Sequence, residues 1–148
     1  MQKFFFIFFL FFASIMLHAQ TESENWVPVS IEKEKSLFIN VTGLSNYTEN
    51  EIYVWSLQEM HFPMSMEEVD GEIYKVRTYY HINREINRYS ILQIVFYNAQ
   101  DNVLKHYTYE HKSNKLEFKF NYPITRNSEV DKILTKCLQY INPTTEKK

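Results

Sequence analysis

Cysteine, glycine and proline are scarce in this chain, with one, two and four residues respectively among 148. A single cysteine rules out an internal disulfide and the paired thiols of a structural zinc site. Two glycines argue against a phosphate-cradling loop or a disordered linker. Net charge of either sign is also small. The formal net charge is −2, so the electrostatic footprint of a nucleic-acid binder is missing and no nucleic-acid partner is expected. No internal repeat or low-complexity tract breaks the chain.

What is present begins with an apolar run. Lys3 precedes Phe4–Leu17, interrupted only by Ser14, and Ala19 stands before Gln20. This is the three-part pattern of a secretory signal over residues 1–19. The run is shorter than the ~20 residues that span a bilayer, so a cleaved signal is expected rather than a membrane anchor. No cysteine near the cleavage site offers a lipid attachment point. The expected product is exported, to the periplasm, the cell surface or beyond, and carries no transmembrane anchor.

Removal of residues 1–19 takes seven of the twelve Phe but leaves all eleven Tyr and both Trp. Aromatic and β-branched residues suit a half-buried pleated surface, and a chain of this length hides enough surface for one core without staples. The pattern predicts a polar lead over 20–25, one β-rich domain over 26–141 and a polar tail over 142–148. Strands are expected at Trp26–Ile31, Ser36–Val41, Glu51–Leu57, Glu72–Ile82, Arg88–Tyr97, Val103–His111 and Lys115–Tyr122. The stretch between the third and fourth contains Pro63 and ends in the turn pair Asp70-Gly71. Asn98–Asn102, rich in residues that tolerate left-handed backbone, is the clearest hairpin turn. In the last strand Leu116, Phe118, Phe120 and Tyr122 fall on one face and Glu117, Lys119 and Asn121 on the other. Around Tyr74–Tyr80 aromatics fall on both faces, so partial cover on each side of the sheet is expected.

From Ser128 the period changes. Val130, Ile133, Leu134, Cys137, Leu138 and Ile141 recur at helical spacing behind a Ser128-x-x-Asp131 start that caps exposed amides. A helix this short is marginal alone and must dock on the sheet. The fold class is therefore α+β, mainly β: an antiparallel sheet of six or seven strands with one C-terminal amphipathic helix, about 128–141, packed on a face.

Candidate sites compete with plainer roles. Cys137 sits on the apolar stripe, which favours a buried inert thiol over an interchain bridge or a nucleophile. His106 and Glu110 share a strand face, but two ligands fall short of a metal site, and surface histidines are the plainer reading. Glu67, Glu68, Asp70 and Glu72 bunch in an expected loop without a shaped pocket. No catalytic, cofactor-binding or metal-ligating set is assigned, and no cofactor is expected. Tyr79, Tyr80, Tyr107 and Tyr109 are candidates for an exposed binding face, with cross-strand packing as the alternative. Trp26, Tyr89, Ile133, Leu134 and Cys137 are expected to be structural.

Taken in order, several segments resemble the surface-adhesin protein E-like family of small exported bacterial domains. They are Trp26-Val27-Pro28-Val29, Leu37-Phe38-Ile39-Asn40, the run from Arg88-Tyr89 to Tyr97-Asn98, and Tyr122-Pro123-Ile124 with Ser128-Glu129 and Cys137. The resemblance covers Trp26 to about Tyr140. It implies a sheet with a C-terminal helix on one face, leaves a homodimer open, and in the named member implies an adhesin that binds host matrix proteins. One departure matters. The family's partner cysteine is absent, and Arg84 or a neighbour stands where it would fall, so the bridge from helix to sheet is missing and packing alone holds the helix. The resulting expectation is a non-enzymatic binding or interaction domain with a protein ligand outside the cytoplasm. The alternatives are a small hydrolase-like exported enzyme with a pocket between helix and sheet, or a structural envelope protein.

Overall fold

The computed structural model describes residues 23–47, 49–109 and 119–141. The signal over 1–19, the first residues of the lead, Glu110 and His111, the first half of the expected last strand (115–118) and the tail from 142 lie outside the described residues. Among the described residues, seven strands make one antiparallel sheet: β1 Trp26–Ile31, β2 Lys35–Asn40, β3 Glu51–Met66, β4 Val69–Asn83, β5 Arg88–Tyr97, β6 Val103–Thr108 and β7 Tyr122–Pro123. The first six lie in chain order, and β7 pairs with the beginning of β5. Helix α1, Glu129–Ile141, packs on one face, so the α+β, mainly β architecture is as expected.

Local chemistry explains the meander, because each turn joins neighbours in space. Between β5 and β6, Asn98 Oδ1 accepts the amides of Gln100 and Asn102 at 3.0 and 2.9 Å, and Asp101 takes φ 62°. Between β4 and β5, Asn83 Oδ1 accepts the amides of Glu85 and Ile86, while Asn87 takes φ 55°. Asn and Asp adopt these left-handed conformations at lower cost than other non-glycine residues.

Two expectations at the sheet's ends need correction. The β3–β4 hairpin extends well past Leu57, and its turn is Glu67-Glu68 rather than Asp70-Gly71. Pro63, which lacks a ladder donor, falls where the register shifts between Glu59 and Met64, so the strand bulges around it and continues. Gly71 lies inside β4 at φ 114°, where a side chain would be strained and would press on Leu104. The second correction concerns the closing segment. Of the described residues there, only Tyr122–Pro123 pair as strand, and Phe120 and Tyr122 part company: Phe120 is buried, Tyr122 exposed. Phe120 packs on the His81 ring, whereas Tyr122 leans on Tyr89.

The main core lies between α1 and the sheet. Leu37, Ile39, Ile52, Val54, Tyr80 and Ile82 meet Val130, Ile133, Leu134, Cys137 and Ile141. Alternation drives this: in β3, Ile52, Val54 and Ser56 are buried while Tyr53, Trp55 and Leu57 are half-buried. The helix starts as its sequence requires. Ser128 Oγ accepts the Asp131 amide at 3.2 Å, and Asp131 reaches back to the Asn127 amide at 2.8 Å. Beyond the helix, Val69, Ile73, Val76 and Phe96 form a second cluster with Met60, Met64 and Leu104.

Cys137 is fully buried, and burial pushes its thiol up to about 12, so it is held as the unreactive SH form. Replacing Cys137 by Ala is expected to leave a folded protein destabilised by about 1 kcal/mol, the transfer term of one small apolar group plus a modest void. Urea melts of the two proteins and a non-reducing gel check this; a disulfide-linked dimer abolished by the substitution would contradict a buried thiol.

Candidate functional site

Antiparallel register decides which side chains meet on the sheet face turned away from α1. Trp55 lies opposite Tyr79, Tyr53 opposite His81, and Leu57 opposite Arg77. Phe38 of β2 lies opposite Leu57. Directly paired residues share a face, so β1 to β4 together present a row of rings there. Trp55 and Tyr79 stack with centroids 4.8 Å apart, and Tyr53 stacks on His81 at 4.2 Å. The Arg77 guanidinium sits 5.1 Å from the Trp26 ring and 5.2 Å from the Trp55 ring, held between two indoles.

The two ends of this row differ electrostatically. At one end His81 is buried, its Nε2 2.7 Å from Glu51 Oε2, and Lys119 Nζ lies 2.8 and 3.1 Å from the two Glu51 oxygens. The Lys119 hydrogen bond leads in holding the Glu51 carboxyl below its ordinary value, with His81 assisting against the opposing effect of burial. Phe120 closes over the imidazole at 4.6 Å. The network joins β3 and β4 to the closing segment, and Ser90 does the same from β5: its hydroxyl donates to the Lys119 carbonyl at 2.8 Å and accepts the Asn121 amide at 3.0 Å.

At the other end is a cleft of about 220 Å³ lined by Glu24, Trp26, Leu57, Lys75, Arg77, Tyr97 and Asp101. Glu24 divides its carboxylate, one oxygen receiving Arg77 Nη2 and the other Trp26 Nε1 at 3.1 Å. Burial raises the Glu24 pKa, but those two hydrogen bonds and the guanidinium charge outweigh it, and the net shift is downward. Lys75 Nζ contacts Asp101 at 2.7 Å and Glu59 at 3.9 Å. Arg77 Nε is buried and has no hydrogen-bond partner among the described residues.

The four tyrosines proposed as a binding face do not form one. Tyr80 belongs to the core under α1, 6% exposed, and burial raises its pKa. Tyr79, one residue before it, points to the opposite face, because successive strand residues alternate. Tyr107 and Tyr109 stack on each other along the edge strand and its exit, with Tyr107 against Phe96 and its hydroxyl on Glu68. Tyr79 alone joins the aromatic row. Of the residues expected to be structural, Ile133, Leu134 and Cys137 are core, and Tyr89 packs edge-on against Tyr80. Trp26 is half-buried on the outer face above Arg77. Tyr53, Trp55, Arg77 and His81 were missed as a group. Their two-residue spacing on adjacent strands was a signal, but only the register shows that the two sets oppose each other.

Among the described residues no group of three or more His, Cys, Asp or Glu gathers as metal ligands, and no helix is long and apolar enough to cross a membrane. His106 is exposed, its ring beside Thr108. Comparison with known proteins finds no match: no family model, curated protein or solved structure matches this chain.

Proposed function

We propose that this chain is an exported, non-enzymatic binding domain that takes a protein ligand on the outer face of its sheet, in the manner of a small adhesin. One observation carries the reading. The face turned from α1 holds Trp26, Trp55, Tyr53 and Tyr79 only half-buried, with an arginine stacked between the two indoles. Tyr, Trp and Arg dominate the energetic centres of protein interfaces because they bring rigid contact area and directed hydrogen bonds together at low entropic cost. Cross-strand stacking fixes these rings before a ligand arrives, which reduces the ordering cost of binding. The resemblance to the protein E-like adhesins supports the same reading, and the secretory pattern at the N-terminus would place the face where an extracellular ligand is met.

The test is solid-phase binding of purified protein to immobilised vitronectin and laminin at two salt concentrations, with heat-unfolded protein as control. Saturable binding by folded protein alone is expected. Trp55→Ala is expected to weaken it about tenfold or more, as at an interface hot spot, while circular dichroism retains the native spectrum. Binding that survives both Trp55→Ala and Tyr79→Ala unchanged would remove this face from the interaction. Absence of folded-state binding to either matrix protein would remove the adhesive function.

A further inference from the structure

We propose that the cleft at the Trp26–Arg77–Trp55 end is a recognition site for an extended acidic segment of a polypeptide, and that Glu24 occupies it as a built-in competitor. The inference rests on the binding reading above and names the ligand chemistry of one part of that face.

Lys75 and Arg77 stand two residues apart on β4, so they project from the same face about 7 Å apart along the strand. Each already meets carboxylates of this chain: Arg77 holds Glu24, and Lys75 holds Asp101, with Glu59 farther off at 3.9 Å. An extended peptide with acidic residues at alternate positions repeats that spacing and presents its carboxylates to both cations. Trp26, Leu57 and Tyr97 supply apolar surface beside the charges in the cleft, and the Trp55 indole lies against Arg77 next to it. Arg77 Nε, adjacent to the Nη2 that Glu24 engages, is buried with Glu24 in place and has no hydrogen-bond partner among the described residues, so it becomes a second donor only once Glu24 has left. A guanidinium offers five N–H groups in a planar fork suited to two-point contact with a carboxylate. Glu24 does not make that contact, because its second oxygen is turned to Trp26 Nε1.

Exchange at this site is inexpensive. The Glu24 and Asp101 side chains are 47% and 64% exposed, and ion pairs that open to solvent contribute little individually. Replacing one carboxylate by another leaves no charge unpaired, which avoids the main penalty of breaking such a pair. The Glu24 side chain turns away by rotation about its own bonds, while the lead stays tied through Ser23 and Asn25 to Thr42 and Val41. The lead therefore acts as a tethered, weak occupant that a longer acidic segment outcompetes.

The chain's two tryptophans both flank Arg77, so intrinsic fluorescence reports on the cleft directly. The probe is an end-capped pentapeptide with Glu at its first, third and fifth positions and Ser between, compared with the same peptide carrying Gln. The Glu peptide is expected to change the tryptophan emission saturably, with an affinity that falls as salt rises; the Gln peptide is expected to leave it unchanged. Glu24→Gln should tighten the apparent Kd about fivefold by removing the competitor, and Arg77→Met should abolish the response while its stem still fills the gap between the indoles. Should Arg77→Met fail to fold, Lys75→Met is the second variant, with the Glu peptide weakened at least threefold. Equal response to both peptides, or a Kd unmoved or weakened by Glu24→Gln, overturns the proposal. Loss of the peptide response with Trp55-dependent binding to a matrix protein intact overturns this inference alone; loss of both overturns the binding reading as well.

Discussion

Ile133→Asp is expected to unfold the protein. Ile133 is wholly buried at the middle of the α1 stripe, with Leu37, Ile39, Ile52 and Val54 in the same core. Truncating such a side chain to Ala costs about 2–5 kcal/mol, part for lost transfer from water and part for the cavity left behind. An aspartate adds the penalty of an unpaired charge in an apolar interior, several kcal/mol more even after the group takes up a proton. A domain of this size has about 5–15 kcal/mol in total, so the sum consumes most or all of it. Without a disulfide from helix to sheet, no covalent tie retains α1 once its packing fails. Far-UV circular dichroism and urea melts provide the check, with Thr135→Asp on the exposed side of the same helix as control, expected within about 0.5 kcal/mol of the parent. An Ile133→Asp protein that melts cooperatively near the parent temperature would show that the helix is not docked through this stripe.

His81→Ala has the second largest expected effect, about 3 kcal/mol. The imidazole is 1% exposed and lies between the Tyr53 and Phe120 rings at 4.2 and 4.6 Å. Its removal leaves a void between two aromatic residues and ends both ring contacts, which are worth about 0.5–1.5 kcal/mol each beyond burial. It also takes one partner from Glu51, leaving Lys119 to hold the carboxylate alone. Acid sensitivity follows from that carboxylate. Glu51 in the folded protein lies below its ordinary value of 4.5. Its contribution to stability is therefore fully present above pH 4.5 and is lost as pH falls through the depressed folded value. Glu51→Gln should flatten this part of the acid limb, and His81→Ala should lower the whole stability profile. An unchanged urea midpoint for His81→Ala at pH 7 would contradict the packing described for the closing segment.

The helix was legible because its signals are local and redundant. Six apolar positions repeat at helical spacing, a Ser-Asp pair opens the run, and a proline follows it. The β5–β6 hairpin was legible for the same kind of reason, since Asn98 and Asp101 satisfy the turn with their own side chains and backbone. The β3–β4 turn was misplaced because Asp-Gly is a strong turn signal in isolation, yet here the glycine serves a distorted position within a strand. A bulge cannot be distinguished from a turn without knowing the partner strand. Within the described part of the closing segment, Phe120 and Tyr122 do not share a face as their alternation suggested, because Phe120 is placed by the His81 ring while Tyr122 pairs at the strand beside Tyr89.

The candidate site shows where sequence stops. Tyr79 and Tyr80 are adjacent in the chain and end on opposite faces, one in the aromatic row and one in the core under the helix. Which tyrosine faces which way depends on the side that α1 covers, and nothing within β4 specifies it.

Alone, the sequence determined the class of structure: a sheet rich in Tyr, Trp and β-branched residues, a single capped helix that cannot stand without docking, and a buried thiol on its stripe. Only the tertiary structure decided that Arg77 lies between Trp26 and Trp55, that Glu24 reaches it from the lead, and that His81 is buried with Glu51 and Lys119. The physical reason is range. Periodicity and capping arise from interactions within a few residues, whereas these contacts depend on strand register and on which face the helix occupies. Both are set by burial of the whole apolar surface together.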